Sequence, residues 1–474
     1  MIFNSVDFLL FFAAFFFLYW GISNKGSINV KNAFTILASY LFYGWWDWRF
    51  LGLIALSSAA DYSIGIALQR NTRERNRKLL LYGSIAINLG ILATFKYFNF
   101  FVESLQELAQ SFSMQFSLTT LNIVLPVGIS FYTFQTLSYT IDVYKGKLSP
   151  TRNILSFFAF VSFFPQLVAG PIERASSLLP QFEVKKKLDY HQCMAGLRLT
   201  VWGFFKKLVI ADNVGVLVDT IFSADQTPTG ANYLIGAILF AIQIYADFSG
   251  YSDIAIGISK TLGFNLMSNF KTPYFAKSLN TFWQRWHISL STWFRDYLYI
   301  PLGGNRKSSS RVQFNLFITF LLSGLWHGAN VTFLIWGALH GIALIAEKRI
   351  QIKANKWIAW FCTFTVVVLL WLPFRAESAS HLVQIVRSII SFSNYSTAEF
   401  QLIVQQFSTT RFIALVVILI AFLAVEKNME LQNFHDWIMR KNKFTRYASY
   451  YILILSILFL GNFTVKPSFI YFQF

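Results

Sequence analysis

Acidic residues are scarce: 22 Asp and Glu stand against 40 Lys and Arg in 474 residues, and charged residues of both signs reach only 13%. Soluble domains carry roughly 25%, so a soluble fold is disfavoured at the outset. The two cysteines, Cys193 and Cys362, make neither a CxxC pair nor a disulfide framework, and redox compartment is unreadable. There is no GxSxG elbow, HExxH pair or P-loop, and no GxGxxG with an acidic residue at the right distance. Soluble hydrolase, zincin, ATPase and dinucleotide chemistries therefore lack support. The first apolar run, Met1 to Trp20, has no basic region before it, and its first positive neighbours, Lys25 and Lys31, follow it. An uncleaved span with its N-terminus outside is expected. With no internal repeat, low-complexity tract or linker, residues 1–474 read as one helical domain.

Apolar side chains are abundant instead, at 55% of the chain with 53 Phe. Apolar runs of membrane-spanning length recur from end to end, which makes this an all-α polytopic membrane protein of about ten to twelve spans. The basic excess, +18, is not gathered on one face as nucleic-acid binding requires. It is dispersed between apolar runs, at Arg73 to Lys78, Lys185 to Lys187, Arg306 to Arg311, Lys348 to Lys356 and Arg440 to Arg446. Short clusters of that kind mark cytoplasmic loops. Five crossings (Val6 to Ile22, Ala33 to Trp46, Phe50 to Leu68, Leu79 to Phe101, Leu121 to Ile141) keep parity with this rule. A sixth, Ile154 to Gly170, breaks it by sending Lys185 to Lys187 outside. That run ends in Pro165, Gly170 and Pro171, poor residues for a plain span, and is expected to be re-entrant beside a cavity that satisfies its backbone. Thr281 to Ile300 is too polar to span and is expected at the interface or dipping into the protein.

An ionisable residue inside a span costs about 2.5–3.5 kcal/mol on insertion scales and calls for a reason. His327, in Ser323-Gly324-Leu325-Trp326-His327-Gly328-Ala329-Asn330, ends one apolar run just before another. Its small neighbours admit close approach, Trp326 can wall it from lipid, and a neutral imidazole suits a general base. A packing histidine is the alternative. His287, in Trp286-His287-Ile288-Ser289, has Arg295 and Asp296 nearby and is open to an interfacial reading as well. His340 falls off the face of His327, so a metal pair is not expected and no metal site is assigned. Asp247 and Asp253 are open to two readings, lining a polar channel or pairing with buried Arg or Lys, of which pairing is expected; Lys206 and Lys207 are expected to snorkel to an interface. Trp45, Trp46, Trp48, Tyr97 and Phe98 read as aromatic belt.

An ordered set of motifs resembles the membrane-bound O-acyltransferase family, specifically the bacterial branch that O-acetylates alginate. They are Val127 to Gln135, Phe164 to Ile172, Tyr245-Ala246-Asp247-Phe248-Ser249-Gly250-Tyr251, Phe282 to Gly304, Leu325-Trp326-His327-Gly328-Ala329 and the ending Phe469 to Phe474. The resemblance implies a ring of tilted helices around a thin waist, with a cytoplasmic tunnel for the acyl donor and an opposite funnel for the acceptor. It implies that His327 is the central catalytic residue and His287, forty residues upstream, the second. Trp286, Ser289, Arg295, Asp296, Trp326 and Asn330 are then supporting or substrate-binding candidates, and Arg306 and Lys307 candidates for attracting donor phosphates. No bound cofactor is implied; acetyl-CoA is the expected co-substrate. An outer-face acetyltransferase partner, a polysaccharide acceptor and the bacterial inner membrane complete the expectation. Two rivals are D-alanyl transfer from a carrier protein to a cell-wall polymer, and a proton-coupled transporter or flippase using His327, Asp247 and Asp253.

Overall fold

A computed structural model describes the chain except residues 115–118, 122, 169, 224–227, 351–354, 392–408, 464–468 and 471–474. Most of the ending motif thus lies outside the described residues. Regular structure among the described residues is helical throughout. Among the described residues, seven helical stretches are long and apolar enough to cross a membrane. Two of these are long enough for two passes each, at 43 and 38 residues, because a bilayer core of about 30 Å takes about 20 helical residues. The first joins α2 (Ile28–Asp47) to α3 (Leu51–Arg70) through a tight turn at Trp48–Phe50. The second joins α4 (Glu74–Leu92) to α5 (Phe98–Ser111) through a π-turn at Ala93–Tyr97. Leu9, Leu10, Phe17 and Leu18 of α1 (Val6–Lys25) point outward, as a lipid-facing surface requires. The chain is a multi-pass membrane protein. It divides into two compact units, Met1–Leu197 with Ala255–Met267, and Arg198–Ile254 with Ser268–Phe474.

In the first unit, α6 (Ile129–Tyr144) packs against α3 and α4. Their shared interior holds Asp61, which accepts from Ser84 Oγ at 2.5 Å, Asn88 Nδ2 at 2.8 Å and Thr140 Oγ1 at 3.0 Å. The break expected in this segment is present. α7 (Ile154–Ser162) stops at Phe163, and a single turn, α8 (Phe164–Leu167), restarts with Pro165 at its beginning. Side chains satisfy the freed backbone: Phe164 N donates to Ser39 Oγ, and Gln135 and Gln166 both donate to Phe160 O. Gly128 has φ +76°, and a Cβ there would lie 2.5 Å from Leu167 O. Broken helix at membrane depth survives on such internal partners.

The second unit contains the latter part of α10 (Tyr190–Phe204), a π-turn at Phe205–Ala211 and α11 (Asp212–Phe222). The π-turn overturns the snorkelling expectation. A wider turn inserts an extra residue and shifts the helix face, and both Lys206 and Lys207 are buried. Lys206 Nζ lies 2.6 Å from Asp253 Oδ2; Lys207 Nζ lies 2.7 Å from Asp212 Oδ1 and 2.6 Å from Asp247 Oδ1. The pairing expected for both aspartates is observed, on lysines placed otherwise than expected. Tyr97 also departs from expectation, being buried where Trp45, Trp46 and Trp48 are exposed.

Helices α15 (Ser309–His327) and α16 (Val331–Ile350) form a tight pair. Gly324 and Gly337 meet at the crossing, where an added Cβ would lie 2.2 Å from Phe333 O and 2.3 Å from Phe320 O respectively. Small residues let membrane helices approach this closely, and the crossing fixes the end of α15 that carries His327.

Candidate functional site

The segment Thr281 to Ile300 dips into the second unit as two short helices, α13 (Leu279–Arg285) and α14 (Ile288–Phe294), followed by a π-turn at Arg295–Tyr299. His287 is the hinge between the helices, at φ +41° and ψ +55°. A left-handed non-glycine residue is held by its surroundings rather than by preference. Here the holder is Asn269: its carbonyl accepts from Ile288 N at 2.9 Å, and its side-chain oxygen accepts from Ser289 N at 3.2 Å and Ser289 Oγ at 2.7 Å. The Asn269 amide donates in turn to Ser252 Oγ at 3.3 Å. Asn269 was invisible in the sequence, where it is one polar residue in a loop.

His327 is the last residue of α15, where the helix gives way to extended backbone at Gly328. A Cβ on Gly328 would lie 2.2 Å from the Phe333 ring, so glycine is needed for the chain to turn into α16. The two imidazoles are buried, and their ring centroids are 6.2 Å apart. Aromatic rings line the space around them. Trp326, Trp336 and Phe374 stand roughly edge-on to His327 at 5.2, 5.0 and 5.4 Å, and Phe248 stands edge-on to His287 at 4.6 Å. A low-dielectric chamber of this kind strengthens any electrostatic contact made inside it.

The other expected residues separate into two groups. Trp326 lies 5.9 Å from His287 as well as beside His327; Trp286 is fully buried and packs on Trp371 at 5.0 Å and Phe270 at 5.1 Å; Ser289 belongs to the Asn269 clasp. Asn330 caps α16 through Thr332 N and donates to Glu377 O at 3.0 Å. Arg295 and Asp296 are paired with one another at 2.8 Å at the surface, and Arg306 and Lys307 are exposed. His340, set aside in the sequence, is buried among Trp283, Trp336, Trp371 and Phe320 at 4.9 to 6.4 Å.

Comparison with known proteins gives the family. The model of the membrane-bound O-acyltransferase family matches residues 147–352, the stretch that carries both histidines. The chain is 42% identical to the probable alginate O-acetylase AlgI of Pseudomonas putida, over 84% of this chain and 82% of that protein. It is 32% identical to the peptidoglycan O-acetyltransferase of Helicobacter pylori, over 100% of this chain and 98% of that protein. A more distant similarity, 28%, joins it to the teichoic acid D-alanyltransferase of Bacillus subtilis, over 50% of this chain and 62% of that one. Helical membrane architecture, two buried histidines on adjoining elements and full-length similarity converge: this chain belongs to the membrane-bound O-acyltransferase family.

Proposed function

We propose that the protein O-acetylates an exported polysaccharide, taking the acetyl group from a cytoplasmic thioester, acetyl-CoA, at the paired histidines of the second unit. The observation that carries this reading is the buried 6.2 Å spacing of His287 and His327 inside an aromatic chamber. Such spacing leaves the two imidazoles able to act on opposite sides of one reacting carbonyl. The named relatives support the polysaccharide class, since two act on alginate and peptidoglycan.

His327 takes the proton of the acceptor hydroxyl as its oxygen attacks the thioester carbonyl. A C–O bond forms, the C–S bond breaks, and the proton returns from the imidazolium to the departing thiolate, so atoms and charge balance without an external oxidant or reductant. His287 orients the thioester or donates to the carbonyl oxygen as negative charge develops, the role of an oxyanion donor. Its left-handed backbone, fixed by Asn269, is the strain expected of a preorganised group. Residence in the bacterial inner membrane, with the acetyl group handed to an acetyltransferase partner on the outer face, completes the proposal.

Purified protein in nanodiscs, given radiolabelled acetyl-CoA and a polysaccharide acceptor, tests this reading. Loss of a general base lowers the rate by about 10²–10⁴, so His327→Ala should abolish measurable CoA release with elution unchanged, and His287→Ala should reduce it strongly. Full turnover by His327→Ala refutes the assignment. An inactive wild type that becomes active when given an acyl carrier protein thioester moves the donor to the D-alanyl type of chemistry.

A further inference from the structure

Glu347 stands near the C-terminal end of α16, at the edge of the basic cluster Lys348 to Lys356. Beside so many cations a carboxylate is expected to form an ion pair. Instead both of its oxygens are taken by the backbone of α13: Oε1 accepts from Leu279 N at 2.6 Å and Oε2 from Asn280 N at 3.0 Å. These are the first two N–H groups of α13, which a helix cannot satisfy within itself. Ser278 Oγ accepts from the third, Thr281 N, at 3.0 Å, and Phe282 N begins the helix's own ladder on Ser278 O at 2.9 Å. The whole first turn is thus accounted for, half of it by a side chain from another helix. A helix of seven residues is too short to persist alone, and a carboxylate at its start also meets the positive end of its dipole.

The helix that supplies Glu347 also reaches His327. Phe333, Trp336, His340 and Leu344 form a buried face of α16, and Glu347 follows at the same helical spacing. Toward one end of that face, Trp336 stands 5.0 Å from His327. Midway, Trp283 of α13 lies 5.8 Å from Trp336 and 5.0 Å from His340. About 16 Å beyond Trp336 along the helix, Glu347 holds the start of α13. α13 ends at Arg285, and the left-handed hinge His287 comes two residues later. The Asn269 clasp grips Ile288 and Ser289, which follow the hinge. The approach to the hinge is set by α13, and α13 is set by α16.

We propose that Glu347 is a positioning residue for His287: by docking the start of α13 on α16, it makes one helix the gauge for both imidazoles and so sets their 6.2 Å spacing. The inference rests on the acyl-transfer reading of the two histidines given above. It adds a residue that works only through the backbone of α13 and does not meet the reacting atoms.

Two measurements test it. The first needs no turnover: the imidazole signals of the protein carrying isotopically labelled histidine are recorded in nanodiscs, that of His287 being assigned by its disappearance in His287→Ala. Glu347→Ala should shift the His287 signal and leave those of His191 and His435 in place, and Glu347→Gln, which keeps one accepting oxygen, should return it part of the way. An unmoved His287 signal overturns the proposal. The second is a double-mutant cycle on CoA release. Misplacing a group by about 1 Å can cost ~10²-fold, so Glu347→Ala should lower kcat about tenfold or more in the wild-type background. In His287→Ala, where no imidazole is left to position, the same substitution should cost less than about twofold. A carboxylate that merely stabilised the fold would lower both backgrounds by one factor, and equal losses refute the positioning role. Glu347→Gln takes the place of Glu347→Ala in both measurements where the alanine variant does not elute as wild type. An inactive wild type whose His287 signal still moves on substitution of Glu347 refutes acetyl transfer from CoA and leaves the positioning standing; His327-dependent turnover with an unmoved His287 signal does the reverse.

Discussion

The largest buried polar network of each compact unit is built differently. In the first, the Asp61 carboxylate is surrounded by neutral donors, and Asn88, one of them, accepts in turn from Ser57 and Thr136. In the second, full charges are paired: Lys206 with Asp253, and Lys207 with Asp212 and Asp247. The same unit buries His287, His327 and His340, whereas His191 in the first is exposed. Each unit also holds a cavity: that of the first, about 620 Å3, is lined by Arg152, Glu183 and Lys185 among others, and that of the second, about 320 Å3, by Gln243, Arg375 and Glu377 among others. Neutral networks hold helices together with little electrostatic consequence at a distance. Charged networks are costlier to bury, and this one lies in the same unit as the two candidate histidines.

Breaking the charged network should cost most. Lys207→Met leaves Asp212 and Asp247 without their shared cation, and removing one partner of a buried pair costs about 3–5 kcal/mol. Asp247 also accepts from Ile470 N at 2.8 Å, so the substitution should weaken that contact as well. Thermal unfolding in detergent should show a much lower midpoint; an unchanged midpoint would mean the lysine is dispensable to the fold. Asp61→Ala in the first unit should cost less, about 1–3 kcal/mol for donors left unsatisfied, and should leave His327-dependent turnover per folded molecule unaltered. A larger loss than that of Lys207→Met would invert the contrast between the units.

Asn269→Ala sharpens the comparison within the second unit. It removes the acceptor of Ser289 N and Ser289 Oγ, a loss worth about 1–3 kcal/mol if the groups stay buried. Because Asn269 positions His287 and does not itself meet the reacting atoms, the expected result is a fall in kcat beyond any change in unfolding midpoint. Restoration by Asn269→Asp, which keeps the accepting oxygen, should follow. Equal kinetics in wild type and Asn269→Ala would refute the positioning role.

The sequence made the membrane class legible through composition, and the broken element at Pro165 legible through failed charge parity. Both are properties of long stretches, which average over local detail. His287 and His327 were legible because each sits in a recognisable motif, and the structure buries both in one unit. Lys206 and Lys207 were misread because a π-turn leaves no periodic signature: two adjacent lysines in an apolar run resemble a snorkelling pair until the extra residue at Phe205–Ala211 is known. Glu347 was missed for a different reason. It borders a basic cluster that reads as a topology signal, and only the fold brings its carboxylate to the start of α13.

The smallest effect is expected at His340, and it separates histidines that composition cannot distinguish. Its ring is as buried as that of His287, yet neither nitrogen makes a hydrogen bond among the described residues. Its neighbours are aromatic: Trp336 at 4.9 Å, Trp283 at 5.0 Å, Trp371 and Phe320 at 6.4 Å. An imidazole that spends no polar contact contributes as a flat ring, so His340→Phe keeps what it supplies. The exchange should change stability by under about 1.5 kcal/mol, as near-isosteric core swaps do, and leave CoA release within about twofold of wild type. Trp336 touches both His340 and His327, at 4.9 and 5.0 Å. A large loss of turnover in His340→Phe with an unchanged unfolding midpoint would therefore mean that the imidazole acts on His327 through that indole, and that packing does not account for it.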